Sequence, residues 1–481
     1  MAHDAGFTFV DLFAGIGGFH AALHGLGGRC VQAVEHNAAA RAIYEKAWLS
    51  PLPAAQQFRF VKDVNEVAPG VVGAAGSRDV EVEDHDLLTA GFPCQAFSKS
   101  GRQLGVMDEV RGTLFHNVLR IIAAKHPKVV FLENVRNLVG PRHRSTTYVT
   151  IVNALREYGY VVHEEPMIVS PHRIAPEHGG TPQVRERVFI IAMRGDLIDE
   201  AKVGDAPPVS SPGWQPERWR IDETPLPVVG GASAIDPVVG EDVQALYGLR
   251  SGSPELAWIE AYESLLRSVV SRKGMSAGDG VRRLPGFPLW FGHQIDSRRM
   301  AREWSEAQDQ GVEWKADFLK KNHEFHEANA RVVDKLRERI ADFPESRKKL
   351  EWQAGDASSL WECLIQFRPS GIRVRPPTYA PALVAINQAP VYGPGRRRIT
   401  PREAARLQGF PEWFSDLLTT QDDRESYKQM GNAVNVGAVQ FALVGWVRHH
   451  RDALTNSGLV DPLLDALLHA QVPAPPRRPG S

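Results

Sequence analysis

Apolar residues in the N-terminal part of the chain fall into short runs, each stopping at a glycine or a polar residue, with amphipathic stretches between them. Phe7 to Phe13 is a β-rich run that ends in Ala14-Gly15-Ile16-Gly17-Gly18 and passes into the helix-compatible FHAALHGLGG, a pattern that predicts strand, glycine-rich turn and helix. Cys30 to Val34 stops at Glu35, a stretch ending at Phe60-Val61 precedes Asp63, and Leu87 to Ala90 stops before Gly91. Val129 to Leu132 precedes Glu133, and Val188 to Met193 is apolar enough for a strand covered on both faces. Helical spacing fills Thr113 to Ala124 and Tyr148 to Tyr158. Strands alternating with helices predict an α/β fold around a doubly wound, mostly parallel sheet.

The pattern changes after Arg194. From Gly204 to Pro237 the chain is rich in Pro, Gly and Ser and carries Trp214 and Trp219 with little periodicity, which marks a boundary. Beyond it, Ala316 to Ile340 has helical spacing, and Glu362 to Gln388 has β-rich runs punctuated by Pro369, Gly371 and Pro376-Pro377, so a second, smaller α+β domain is expected. Helical pattern returns near Thr400, and Met430 to Val447 reads as one last helix packed on the first domain. The expected division is 1–203, 204–395, 396–455 as the return to the first domain, and 456–481 as a C-terminal helix with a disordered tail, VPAPPRRPGS. No internal repeat is visible.

Composition narrows the class. With 481 residues, 43% hydrophobic and 23% charged, the chain is that of a soluble globular protein of two or three domains, and no apolar run reaches the length of a spanning helix. The N-terminus lacks the pattern of a secretory leader, so the cytoplasm is the expected compartment. Cys30, Cys94 and Cys363 are too few for a disulfide framework and lack paired zinc spacing, so no metal is expected. The 56 Lys and Arg against 57 Asp and Glu leave a formal charge of -1, which by itself announces no nucleic-acid binder.

Candidate chemistry gathers at the ends of the strands. Gly15, Gly17 and Gly18 would let a ligand approach the backbone, and Glu35 closes the next strand where an acid can hold ribose hydroxyls. His20 stands where a dinucleotide motif would place its third glycine, so a nucleoside without a pyrophosphate fits better. Asp63 reads as an acceptor for an adenine amino group or as a helix cap. Cys94, at a strand's C-terminal end after Pro93 and before a Gly/Ser loop, is placed as a nucleophile, with a small core residue as the alternative. Glu133 at the end of a neighbouring apolar strand is a candidate proton donor if partly desolvated, and a solvated acid otherwise. Arg185 and Arg187, two apart, would share a side and hold an anion or a base carbonyl, or form a surface ion-pair network.

Together these segments resemble the DNA (cytosine-5) methyltransferases of bacterial restriction-modification systems. FVDLFAGIGGFH resembles the family's cofactor loop, GFPCQAFSKSG its Pro-Cys loop, FLENVRNL its Glu-Asn-Val motif and TPQVRERVFIIA its Gln-x-Arg-x-Arg motif; RRRITPREAARLQGFPEWF and QMGNAVNVGAVQFAL resemble its bridging and closing motifs, in the family's order. The resemblance implies a methyltransferase of Rossmann-like fold, with 204–395 as the target-recognition domain. It implies Cys94 as nucleophile, Glu133 as the acid at the cytosine ring, and Arg185 and Arg187 as supports. It implies S-adenosylmethionine contacts from Phe13, Ala14, Gly15, Gly17, Glu35, Asp63, Pro93, Leu114 and Asn432. Ala433 stands where the family often has Ser. The partner implied is duplex DNA bound by a monomer associated with the bacterial nucleoid, with a cognate endonuclease sharing the site and no membrane.

The cytosine must be flipped from the duplex, and Ser98 to Gly105 reads as a lid behind it. Lys99, Arg102, Arg111, Arg136, Arg142, His143 and Arg144 are expected to meet phosphates, and Arg272-Lys273, Arg282-Arg283, Arg298-Arg299, Arg373 and Arg375 are candidate DNA contacts in the second domain. No residue is an obvious owner of the base that removes the carbon-5 proton. Rival readings are an RNA cytosine-5 methyltransferase, disfavoured by the long insert, a non-catalytic binding relative, disfavoured by the intact Cys94 and Glu133, and a nicotinamide dehydrogenase, disfavoured by the missing third glycine.

Overall fold

The structure is a computed structural model that describes residues 6–69, 80–92, 114–204, 207, 214–276, 278–292, 297–383 and 389–480, with backbone alone at 297–301 and 313. The chain divides into two compact units, 1–234 with 381–387 and 401–481, and 235–380 with 388–400.

The first unit is built on an eight-stranded sheet, ordered β3-β2-β1-β4-β5-β8-β6, with β7 also paired to β8. Its strands are β1 (Phe7–Leu12), β2 (Gly28–Val34), β3 (Arg59–Val61), β4 (Leu87–Ala90), β5 (Val129–Val135), β6 (Tyr160–Val162), β7 (Met167–Val169) and β8 (Arg187–Arg194). The five strands from β3 to β5 are mutually parallel, and β8 runs antiparallel to β5, β6 and β7. Side chains alternate between the two faces. Val10, Leu12, Leu88, Ala90, Val130 and Leu132 share one core with helices Leu114–Lys125 and Val149–Glu157. On the other face Phe131 packs edge-to-face on Phe19 of helix Gly18–Gly25 and on Phe189, with ring centroids 5.3 Å apart in both pairs. Burial of each such side chain stabilises the unit by about 1.5–3 kcal/mol, so both faces must be covered.

Four expectations are corrected. The stretch expected as one helix from Met430 to Val447 is two, Asp423–Asn432 and Val436–His449. The break at Ala433 is extended, and Asn435 restarts the helix by accepting from the Ala438 amide at 2.9 Å. Asp423–His449 taken together is apolar enough to cross a bilayer by length and composition, yet 83% of its most apolar window is buried inside the protein. The tail expected to be disordered is packed: Gln440 exchanges hydrogen bonds with the Ala474 backbone at 2.7 and 2.9 Å, and Trp413 Nε1 donates to the Pro476 carbonyl at 3.1 Å. The boundary expected at 204 falls later, at 235, because Trp219 is fully buried in the first unit and its indole donates to the His172 carbonyl at 2.7 Å. The return to the first unit falls at 401 and not 396.

The second unit carries a six-stranded mixed sheet, ordered β14-β13-β11-β12-β10-β9, from β9 (Leu289–Trp290), β10 (Lys349–Trp352), β11 (Leu364–Arg368), β12 (Gly371–Arg375), β13 (Val391–Tyr392) and β14 (Arg397–Arg398). Its longest helix, Pro254–Lys273, is punctuated at both ends. Ser253 caps the Leu256 amide at 3.3 Å, Pro254 takes the first turn, and Gly274 closes it at φ 59. Ile259, Leu265, Leu266 and Val269 from that helix bury themselves with Leu350, Trp352, Ile365 and Ile372 of the sheet. The helical spacing expected over Ala316 to Ile340 is interrupted at Asn329, giving Glu313–Ala328 and Ala330–Arg339.

Candidate active site

Every described candidate on the strands lies at one edge of the first unit's sheet, where the parallel strands end and antiparallel β8 begins. After β1, Phe13 takes a left-handed conformation at φ 56, a strain of about 1–2 kcal/mol for a residue with a side chain. Ala14 donates to the Val34 carbonyl at 3.0 Å, so the turn is tied to β2. Gly17, at φ 92, admits no side chain, because a Cβ there would overlap the Trp48 indole. Gly15 is different: a Cβ at its position would meet no described residue within 4 Å.

Glu35 bridges this turn to the next. One carboxylate oxygen accepts from the Gly15 amide at 2.8 Å and the other from the Asn37 amide at 2.6 Å, leaving lone pairs on both. Asp63 is the N-cap of the short helix Val64–Val67, accepting from Asn65 at 2.9 Å, and His36 lies 3.9 Å from its second oxygen. Leu114 is half-buried at the start of its helix, on the same core as Phe13. Asn432 is exposed at the end of its helix, beside a segment that meets the glycine turn: a Cβ on Gly18 would stand 2.7 Å from both the Val434 carbonyl and its side chain.

The acid stands across β4. Glu133 is largely buried, its Oε1 pairs with Arg187 Nε at 2.9 Å, and its Oε2 lies 3.6 Å from where a Cβ on Gly91 would be. Burial raises its proton affinity above the ordinary carboxylate range, opposed by the charges of Arg187 and then Arg185. It therefore sits beside the strand that leads into Pro93 and Cys94. Those two residues, the expected lid from Ser98 to Gly105, and Lys99, Arg102 and Arg111 lie outside the described residues, as do the side chains of Arg298 and Arg299.

Arg185 departs from expectation. β8 begins only at Arg187, so strand alternation does not govern residue 185, and the two guanidiniums part. Arg185 is 2% exposed and donates to the carbonyls of Gly431 (2.9 Å), Ala433 (2.6 Å) and Leu383 (3.3 Å). Desolvation, with the charge of Arg187, pulls its pKa down to about 9.

Two residues escaped the sequence reading. Asn134, buried beside Glu133, donates to the Phe92 carbonyl at 2.9 Å and so pins the backbone immediately before Pro93. Its place within the Glu-Asn-Val motif was the available signal. Asn134→Ala removes that hydrogen bond to a buried carbonyl, a loss of about 1–3 kcal/mol; we expect single-turnover methyl transfer to slow by about tenfold or more with DNA affinity little changed, as binding and rapid-quench assays would read.

The other is Asp11, fully buried on β1, whose carboxyl meets the Thr89 hydroxyl of β4 at 2.9 Å. The Thr89 hydroxyl donates to that carboxyl and also lies 3.2 Å from the Val10 carbonyl. Desolvation, with the charge of Glu35, raises Asp11 to about 7. With a folded pKa above the unfolded one, its stabilising protonation is complete below about pH 4 and is lost as pH rises through about 7. Asp11→Asn cannot ionise, and should gain on the parent in urea melts as pH rises across that window, by at most about 4 kcal/mol.

Of the positive residues, several are internally engaged. Arg144 forks onto Glu165 at 2.6 and 2.8 Å, and Arg136 stands 3.9 Å from Glu186, whereas Arg142 is exposed. In the second unit Arg283, expected as a DNA contact, is 1% exposed and bound to Asp279 at 2.8 Å and the Asp356 carbonyl at 3.1 Å. Arg272 donates to the Ala328 carbonyl at 2.6 Å. Arg373 donates to Glu351 at 2.7 Å and Arg375 to Gln353 at 3.1 Å, while Lys273 and Arg282 are exposed. Among the described residues no group of three or more His, Cys, Asp or Glu is placed to hold a metal ion.

The family model described as C-5 cytosine-specific DNA methylase matches residues 7–233 and 281–444. The type II methyltransferase M.AluI of Cellulosimicrobium cellulans is 39% identical over 97% of this chain and 96% of its own length. The type II methyltransferase M.HhaI of Haemophilus parahaemolyticus is 38% identical over 40% of this chain and 50% of its own length. M.HpaII of Haemophilus parainfluenzae, another type II methyltransferase, is 39% identical over 38% of this chain and 45% of its own length. Matched by the family model over 7–233 and 281–444, and by one relative nearly end to end, this chain belongs to the C-5 cytosine-specific DNA methylases.

Proposed function

We propose that the protein is the modification methyltransferase of a bacterial restriction-modification system, flipping one cytosine from a specific duplex sequence and methylating it through a covalent Cys94 adduct. The observation that carries this reading is the acid: Glu133 is buried at the sheet edge with raised proton affinity, paired to Arg187 and adjacent to Gly91 on the strand leading to Cys94. Family membership brings S-adenosylmethionine as methyl donor and DNA as substrate. The Gly15 turn, clear of described residues within 4 Å of a Cβ there, with the Glu35 carboxylate bound to its amide, fits a nucleoside. Phe13, Ala14, Gly15, Gly17, Glu35, Asp63, Pro93, Leu114 and Asn432 are the residues we assign to hold it.

Carbon 5 of cytosine is a weak nucleophile. The Cys94 thiolate forms a bond to carbon 6 while Glu133 delivers its proton to N3, and the ring becomes an enamine with electron density at carbon 5. Bound S-adenosylmethionine supplies the electrophilic methyl group. Once carbon 5 carries the methyl group, a base takes the carbon-5 proton, the Cys94 sulfur leaves carbon 6 as thiolate and N3 returns its proton to Glu133; no side chain is assigned to the carbon-5 proton. Arg187 holds Glu133 toward the ring. We assign the 235–400 region to target reading, with the enzyme acting as a cytoplasmic monomer alongside an endonuclease of the same specificity.

The test is incubation of purified protein with tritium-labelled S-adenosylmethionine and mixed-sequence duplex DNA, followed by bisulfite sequencing. Protected cytosines confined to one short motif are expected. Label on transfer RNA and none on any duplex would overturn the DNA reading, and label on neither would overturn catalysis.

A further inference from the structure

The helix Asp423–Asn432 ends where its last carbonyls have lost their helical donors, because the chain turns extended at Ala433. Two buried side chains from elsewhere in the first unit take over. Gln408 donates to the Met430 carbonyl at 2.6 Å, and one Arg185 nitrogen donates to the carbonyls of Gly431 at 2.9 Å and Ala433 at 2.6 Å. The two carbonyls held by Arg185 flank Asn432, whose side chain is left exposed. The next residue, Val434, presses on Gly18 of the glycine turn. A cation at a helix C-terminus is also favourably placed against the helix dipole.

We propose that Arg185 is a positioning residue for the methyl-donor site, fixing Asn432 against the glycine turn, and is not a support for the cytosine ring. The proposal rests on the function proposed above, in which Asn432 contacts the donor. The two arginines of one motif then divide their work. Arg187 pairs with the acid on β5, and Arg185 holds the break between helices Asp423–Asn432 and Val436–His449. Among the described residues its guanidinium donates only to backbone carbonyls, and its Nε has no partner.

The test is titration calorimetry of the full chain with S-adenosylmethionine, run beside single-turnover transfer at saturating donor. Arg185→Met is expected to weaken donor binding about tenfold or more while the saturated transfer rate stays within about threefold. Arg185→Lys, which can still donate to the two carbonyls, should recover most of that affinity. Arg187→Met should show the reverse split, with donor affinity kept and the saturated rate reduced. Wild-type donor affinity in Arg185→Met together with a lost transfer rate overturns the proposal. If Arg185→Met does not fold, Arg185→Gln decides: a raised dissociation constant with transfer intact supports it, and unchanged affinity overturns it. A wild-type chain that binds no S-adenosylmethionine at all would instead overturn the function proposed above.

Discussion

Cys94→Ala is expected to abolish methyl transfer, by on the order of 10⁵-fold or more, the scale on which removal of a covalent nucleophile acts. Without a bond to carbon 6 there is no enamine, and neither the acid nor the donor compensates. Donor affinity should change little, since the glycine turn and Glu35 are untouched. The assignment has an internal control, because the chain has three cysteines and the other two, Cys30 and Cys363, are buried. Burial pushes both of those thiols up and keeps them protonated, so neither can substitute. A duplex carrying 5-fluorocytosine should therefore trap the wild-type protein covalently, because fluorine cannot leave as a proton does, and should leave Cys94→Ala free on a denaturing gel. Multiple turnover by the variant, or a trapped adduct mapped to Cys30 or Cys363, would sink the assignment.

Much of the catalytic face was legible from local pattern. The runs ending at Leu12, Val34, Val61 and Ala90 are strands, and each candidate that follows them lies at the same sheet edge because parallel strands must all end on one side. Direction was less legible. The apolar run from Val188 to Met193 suits a buried strand of either sense, and only pairing with β5 makes it antiparallel. The three-residue strands β6 and β7 carry no period long enough to detect.

What local pattern misses is set by distant partners. Asn134 and Phe92 are 42 residues apart, Asp11 and Thr89 are 78 apart, and Arg185 reaches carbonyls 246 and 248 residues away. Spacing suggested that Arg185 would follow Arg187, and the free carbonyls at a helix break decided otherwise. The same holds for charge. Arg283 reads as a surface cation beside Arg282, yet Asp279 and two backbone carbonyls enclose it. The second unit's long helix was missed although Ser253-Pro254 and Gly274 mark its ends, because its apolar stripe is diluted by charged residues along the exposed side.

Glu133→Gln carries the second large effect, a loss of about 10²–10⁴-fold in single-turnover rate, the usual range for removing a positioned general acid. The amide still hydrogen-bonds N3 but has no proton to give, so binding should survive better than rate. The pH dependence follows from sign. Burial raises Glu133, so it keeps its proton to higher pH than a free carboxyl, and transfer falls as pH rises through that raised value. Arg187, 2.9 Å from the carboxylate, is the largest influence pulling the other way. Arg187→Met should therefore move the alkaline limb of the rate profile to higher pH, even while the maximum rate falls because the acid is no longer aimed. Glu133→Gln should flatten that limb altogether. An alkaline limb that stays put in Arg187→Met, or that persists in Glu133→Gln, would assign the titration to another group and remove Glu133 as the proton donor.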